Sequence, residues 1–155
     1  MTTDPTQSKE EEPPSPRSDR GQDAQRLEPG REHDRVAGQI VDSAFAVHEA
    51  LGPGLLESVY EQCMFCELTS RNMVVRRQLP VSVTYRGLRI DAGFRMDMLV
   101  DSLVVVEIKA TERILPVHEA QLLTYLKLSG HRLGILVNFN VSRIKDGLRR
   151  IVLSR

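Results

Sequence analysis

Residues 103–110 read Leu-Val-Val-Val-Glu-Ile-Lys-Ala. Four apolar residues in succession do not suit a strand with one face in water. They ask for cover on both faces, as in the sheets of α/β proteins. The run then continues straight into Glu107 and Lys109. Side chains alternate along a strand, so these two share one face at a separation of about 7 Å, and Ile108 anchors the other. Ten residues before Glu107 a second acid, Asp97, interrupts another apolar run, Gly-Phe-Arg-Met-Asp-Met-Leu-Val at 93–100. Two acids and a base inside otherwise buried strands limit both the fold and the chemistry.

The flanking periodicities fill in the architecture. Val36, Ile40, Ala44, Val47 and Leu51 recur at steps of three and four, which predicts an amphipathic helix with Asp34 as candidate N-cap. Gly52-Pro53-Gly54 ends it. A second helix is expected over about 54–71, with Leu55, Val59, Cys63 and Cys66 as its apolar stripe and Leu56, Tyr60 and Met64 beside it. The period then changes from 3.6 to 2. Val81, Val83 and Tyr85 alternate with polar residues, and Leu88, Ile90, Ala92 and Phe94 do the same after a turn at Arg86-Gly87. The third strand is 103–109. Pro116 opens a helix to about Ser129 with Gly130 past its end, and 133–139 is an apolar, central strand. A turn at Asp146-Gly147 and one short strand complete the chain. The order is α, α, β, β, β, α, β with a small addition, an α/β sandwich around a mixed sheet.

The formal net charge of zero conceals a split: residues 1–34 carry five Lys/Arg against nine Asp/Glu, and residues 35–155 carry sixteen against twelve. Five of the eight prolines lie in the first 30 residues. A segment of this composition buries too little apolar surface to offset ordering, so residues 1–33 are expected to be a disordered, acidic, Pro-rich tail, and 34–155 one domain. The longest uncharged stretch, Leu133 to Ser142, is too short to span a membrane, and the N-terminus has no signal-peptide core. A cytoplasmic location and no membrane partner are the expectation. Cys63 and Cys66 lack the further ligands a zinc site needs and are expected to pack as buried residues on a helix face.

Asp97 and Glu107 suit a hard cation. Mg²⁺ prefers oxygen ligands and retains waters, so two or three carboxylates suffice. Such an ion lowers the pKa of a water and neutralises charge developing on a phosphate, and a lysine beside it orients the water or stabilises the crowded phosphorus. Strand register tests this reading. A two-residue turn at Asp101-Ser102 would pair Val106 with Asp97 and turn the two acids away from each other. An odd turn, such as 100–102, brings Asp97, Glu107 and Lys109 to one face. The plain alternative is a solvated strand end and a surface acid.

Two longer stretches, His48 to Cys63 and Gly93 to Ala110, resemble the GxxExxY family, whose naming motif stands intact as Gly54-Leu55-Leu56-Glu57-Ser58-Val59-Tyr60. Residues 119–141 are similar to the same family's C-terminal half, and the resemblance covers about 34–152. That family is placed in the PD-(D/E)XK nuclease-like superfamily. The resemblance therefore implies a restriction-endonuclease-like αβββαβ core, here with one extra leading helix. It implies that Asp97 is the first acid of the motif, preceded by Met96 rather than proline, and that Glu107 and Lys109 are its E-x-K. Glu57 would be the additional acid of the first core helix, completing a metal set of Glu57, Asp97 and Glu107 for Mg²⁺ or Mn²⁺. Gln121 and Tyr125 resemble the Q-x₃-Y of RecB-like nucleases and share a helix face.

Each has a plainer role beside it. Glu57 suits the positive end of its helix, and His48 fits the C-terminal end of the preceding one better than it fits a metal. Tyr60 reads as packing, and Tyr125 as core with its hydroxyl at the rim. Arg76, Arg77, Arg86, Arg89 and Arg95 give the sheet region a basic bias suited to phosphates. Two function classes follow. One is a metal-dependent nuclease hydrolysing phosphodiester bonds, with DNA ahead of RNA as substrate. The other is a catalytically inactive module of the same fold that binds nucleic acid or a protein partner. A lone domain has little surface to grip a duplex, and a homodimer is one solution; Arg143, Lys145, Arg149 and Arg150 would serve binding or assembly.

Overall fold

The computed structural model describes residues 29–154. Two helices lead, α1 (Arg31–Leu51) and α2 (Glu57–Ser70), followed by β1 (Val75–Tyr85), β2 (Leu88–Val100) and β3 (Val104–Lys109). Helix α3 (Pro116–Ser129) leads to β4 (Leu133–Asn138), and a 3-10 turn (Ile144–Gly147) leads to β5 (Leu148–Val152). The five strands lie in chain order in one sheet. Only β3 and β4 run parallel; the other neighbours are antiparallel. This is the mixed α/β sheet with flanking helices that the periodicities predict. Among the described residues no helix is long and apolar enough to cross a membrane.

Strands β3 and β4 lie at the centre, and every residue of β4 is buried. Val104, Val106 and Ile108 point to the side of α1 and α2, where Ile40, Tyr60, Met64 and Met98 meet them. Val105 points to the other side, with Leu122 and Leu126 of α3. Gly134 of β4 lets α3 approach: a Cβ there would stand 2.8 Å from Leu122 Cδ1.

Several boundaries and faces differ from expectation. Helix α1 begins at Arg31 with Gly30 before it, so Asp34 is not the cap but lies in the first turn, where it accepts a 2.7 Å bond from Arg150 of β5. Of the expected tail, residues 1–28 lie outside the described residues and 31–33 are helical. Strand β1 starts six residues earlier than its alternation suggested. It is an edge strand, half in water, which is why Arg76, Arg77 and Pro80 fit within it. The buried stripe of α2 is Tyr60, Met64 and Leu68, not Leu55, Val59, Cys63 and Cys66. Cys66 is exposed and Cys63 half-buried, which overturns their reading as buried residues. Leu51 is exposed as well. The helix is apolar around much of its circumference, so composition did not mark which face turns inward.

The hairpin of β1 and β2 switches faces midway. Val75, Met98 and Val100 pack on the α1/α2 side, whereas Leu79, Val81 and Met96 pack on the α3 side. The switch falls at Gln78, whose φ is +52°, and at Asp97. Beyond it the hairpin continues as an arm: residues 84–95 are exposed throughout.

The end of β4 is closely pinned. Gly147 of the 3-10 turn lies against Asn138, and a Cβ at 147 would meet the Asn138 carbonyl oxygen at 2.1 Å. Backbone cannot yield as a flexible side chain does. Gly147→Ala should cost about 1–3 kcal/mol in urea unfolding, whereas Gly38→Ala, with open space around its Cβ, should be neutral or stabilising.

Candidate functional site

The turn joining β2 and β3 decides which way the acids face. Met98 pairs with Val106 and Val100 with Val104, so the turn is Asp101-Ser102-Leu103, an odd length. Asp101 and Ser102 both adopt positive φ, +50° and +57°. Asp101 is held by its own N–H to the Val74 carbonyl and by its carboxylate accepting the Val74 N–H, both at 2.8 Å. The odd turn expected for a joint site is present, one residue further along than the example of 100–102, and Asp97 comes opposite Glu107.

Here the ladder between β2 and β3 ends, and side chains replace it. The Ile108 N–H donates to Asp97 Oδ2 at 2.8 Å, and the Asp97 N–H donates to Glu107 Oε1 at 3.2 Å. Each acid thereby satisfies a backbone donor that the parted strands would leave orphaned. Glu107 is only 4% exposed. Burial pushes the Asp97 carboxyl up to about 6; repulsion from Glu61 and Glu57 adds to it, while the Ile108 N–H and Lys109 oppose it. Burial, then the charge of Asp97, pushes Glu107 up to about 8. Two desolvated acids share a place where one negative charge is tolerated better than two.

Lys109 stands at the mouth. Its Nζ donates to Gln121 Oε1 at 3.4 Å, and Gln121 Nε2 donates to the Tyr125 hydroxyl at 3.0 Å. The two α3 residues thus form one relay with the lysine, as their shared helix face allows. Burial, with the nearby Glu107, holds the Tyr125 phenol above its usual value, and Gln121 works against them. Behind Lys109, the buried Asn138 accepts the Thr111 N–H at 3.1 Å and donates to the Thr111 carbonyl at 2.9 Å, fixing the chain as it leaves β3.

Helix α2 approaches from the opposite layer. Gly52 and Gly54 hold positive φ, +66° and +102°. The Tyr60 hydroxyl donates to the Gly52 carbonyl at 2.5 Å and accepts the Leu55 N–H at 3.2 Å. Its ring stacks on Phe139 at 4.4 Å between centroids, and the Phe139 N–H donates to the Lys109 carbonyl at 2.9 Å. Tyr60 is therefore a packing residue that fastens the loop one turn ahead of Glu57. Glu57 itself is exposed, at the first position of α2. Among the described residues no three His, Cys, Asp or Glu side chains are grouped as a metal cage, so Glu57 is not gathered into one set with Asp97 and Glu107. Its closest link to them is electrostatic, through Asp97, and Glu61 has the larger effect there.

Glu61 and Asn138 are absent from the sequence-based set. Glu61, four residues after Glu57, was legible as a second acid on that helix face. It accepts Gln78 Nε2 at 3.0 Å and pairs with Arg77 at 3.3 Å. Asn138 gives no signal, being one amide in an apolar strand. His48 lies elsewhere: its Nε2 donates to the Val141 carbonyl at 2.8 Å, consistent with a structural role near the end of α1. Several of the arginines read as a basic bias or as a binding or assembly segment are paired within the chain: Arg77 with Glu61, Arg89 with Asp91, Arg143 with Asp146, Arg149 with Glu119 and Arg150 with Asp34.

A family model described as PD-(D/E)XK nuclease superfamily matches residues 34–151. No curated protein and no solved structure matches the chain.

Two outcomes follow from this geometry. The folded Glu107 holds its proton to higher pH than the unfolded chain, so apo-protein stability should fall as pH rises from about 4.5 towards about 8. Glu107→Gln keeps the acceptor and removes the charge. Its melting temperature should exceed wild type at pH 8 and match it near pH 4.5; equal pH slopes would contradict the assignment. Tyr60→Phe keeps the stack and loses the hydroxyl anchor, and should cost about 0.5–1.5 kcal/mol in thermal unfolding.

Proposed function

Because the chain belongs to the PD-(D/E)XK nuclease superfamily, we propose that it is a divalent-metal-dependent nuclease hydrolysing phosphodiester bonds of nucleic acid, with DNA ahead of RNA. Within the superfamily we assign it to the GxxExxY group on Gly54, Glu57 and Tyr60. The observation that carries the proposal is the half-buried Asp97 set against the buried Glu107 at the fork of β2 and β3, with Lys109 beside them. Protein interiors do not retain two adjacent acids without a compensating charge unless they take up a proton.

The donor set fits Mg²⁺ or Mn²⁺. Both acids are hard oxygen ligands, each gives only one oxygen to a backbone N–H, and Mg²⁺ needs few protein carboxylates. Asp97 and Glu107 would hold the ion, and Glu57 with Glu61 would add negative charge on the α2 side. When bound, the ion would lower the pKa of a water and offset charge on the phosphate. Lys109 has a position from which to donate to a phosphate oxygen and stabilise the charge that grows there. Gln121 orients that ammonium, and Tyr125 orients Gln121. Asn138 and Tyr60 hold the two ends of backbone on which Lys109 and Glu57 are carried.

The alternative is an inactive module of this fold that binds nucleic acid or a protein partner. What favours it is that each acid already serves as a structural acceptor for the parted strands, which gives the pair a purpose without chemistry.

Calorimetric titration with Mn²⁺ and cleavage of plasmid and single-stranded substrates separate the two. Wild type should bind and cut, and Asp97→Ala should lose both. Lys109→Met should still bind the ion but lose about 10²–10⁴-fold in rate, the usual worth of a positioned proton-transfer or charge-stabilising group. A wild-type protein that neither binds metal at millimolar concentration nor cuts would leave the module reading.

A further inference from the structure

A cavity of about 380 Å³ lies between the β1–β2 arm and α3. Val83 and Phe94 form its arm side, and Val117 and Leu128 its helix side. Gln121 and Tyr125 also line it, and Gln121 accepts the Lys109 ammonium. Whatever fills the cavity is thus one side chain away from the proposed phosphate position. Its apolar walls are left open: Phe94 is 44% exposed and Val117 is 63% exposed. Small-molecule sites run from about 300 to 1,000 Å³. This one is at the small end, and a helix 10–12 Å across would fill it with less than about one turn.

We propose that this cavity receives one unpaired nucleobase of a single-stranded nucleic acid whose neighbouring phosphate lies at Lys109. The inference rests on the nuclease reading and narrows its substrate class. A base offers flat apolar faces and a hydrogen-bonding edge, and the cavity offers both counterparts. The Phe94 ring is available for stacking. His118 and Thr124 add polar groups to the lining. His118 Nδ1 accepts the Leu115 N–H at 3.0 Å, so the neutral ring carries its proton on Nε2 as a donor. Bases paired and stacked in a duplex cannot enter such a cavity, whereas the splayed bases of a single strand can. Arg86 and Arg95 on the same arm supply cations for the strand's backbone.

The test compares a fluorescent thymidine strand with an abasic strand of equal length and charge, by anisotropy in metal-free buffer with the full chain. Wild type should prefer the thymidine strand by about 5- to 150-fold, the range for one stacked base. Phe94→Ala should abolish that preference and leave abasic binding unchanged; Tyr85→Ala, at an exposed aromatic of the arm, should keep it. Equal binding of both strands by wild type, no binding of either, or a Phe94→Ala loss shared equally by both strands overturns the proposal. So does a dimer in light scattering that Phe94→Ala turns into monomer, which would make this face an interface between two copies. A protein that shows the preference yet binds no metal and cuts nothing would sink the nuclease reading and leave the cavity assignment standing.

Discussion

The exchange at the fork governs the rest of the molecule. Up to Met98 and Val106 the strands β2 and β3 are joined by their backbones. One residue further, the Asp97 carboxylate takes the Ile108 N–H and the Glu107 carboxylate takes the Asp97 N–H. The strands part without leaving buried donors unpaired, because the acids bridge the opening. The same arrangement desolvates both acids. Backbone pairing and acidity are therefore one feature here: the groups that close the seam are the ones whose carboxyls burial pushes up. Replacing either by an apolar residue would orphan a backbone N–H.

The helical layers position the remaining groups by indirect means. Helix α2 buries only Tyr60, Met64 and Leu68, so its N-terminal end depends heavily on the Tyr60 hydroxyl and the stack on Phe139. Phe139 in turn bonds to the Lys109 backbone. A continuous chain thus runs from the Gly52–Leu55 loop through Tyr60 and Phe139 to the lysine. On the other face the lysine ammonium meets Gln121. The spacing Gly-x-x-Glu-x-x-Tyr has a physical meaning in this chain. The glycine takes a conformation closed to other residues, the tyrosine ties the loop down, and the glutamate between them is carried on the first turn.

Much of this was legible in the residues. The unbroken Leu103–Val106 run required a covered sheet, and the change of period near residue 72 separated helices from strands. Turn parity tied the facing of Asp97 and Glu107 to the length of the β2–β3 connection, and the structure supplied the odd length. The spacing of Gln121 and Tyr125 gave their shared face. What was illegible was of another kind. Which side of α2 turns inward depends on the shape of the sheet beneath it, and the helix offers apolar residues in several directions. The early start of β1 is masked by arginines that an edge strand tolerates. Asn138 has no pattern, since its role comes from the loop that happens to pass it. The face switch at Gln78 and Asp97 arises only when two strands are paired, so no single run of residues encodes it.

The three-residue turn after β2 also restricts how such a chain can diverge. In a connection between a helix and a strand, an inserted or deleted residue shifts a loop and little more. Between Val100 and Val104, a change of one would rotate Asp97 by half a pleat and aim it into the layer of α1 and α2. Lineages carrying this site can thus lengthen or shorten that connection only in pairs, unless a bulge restores the phase. The odd count of Asp101, Ser102 and Leu103 behaves as a reading frame for the sheet: silent in composition, and lost to a single insertion or deletion.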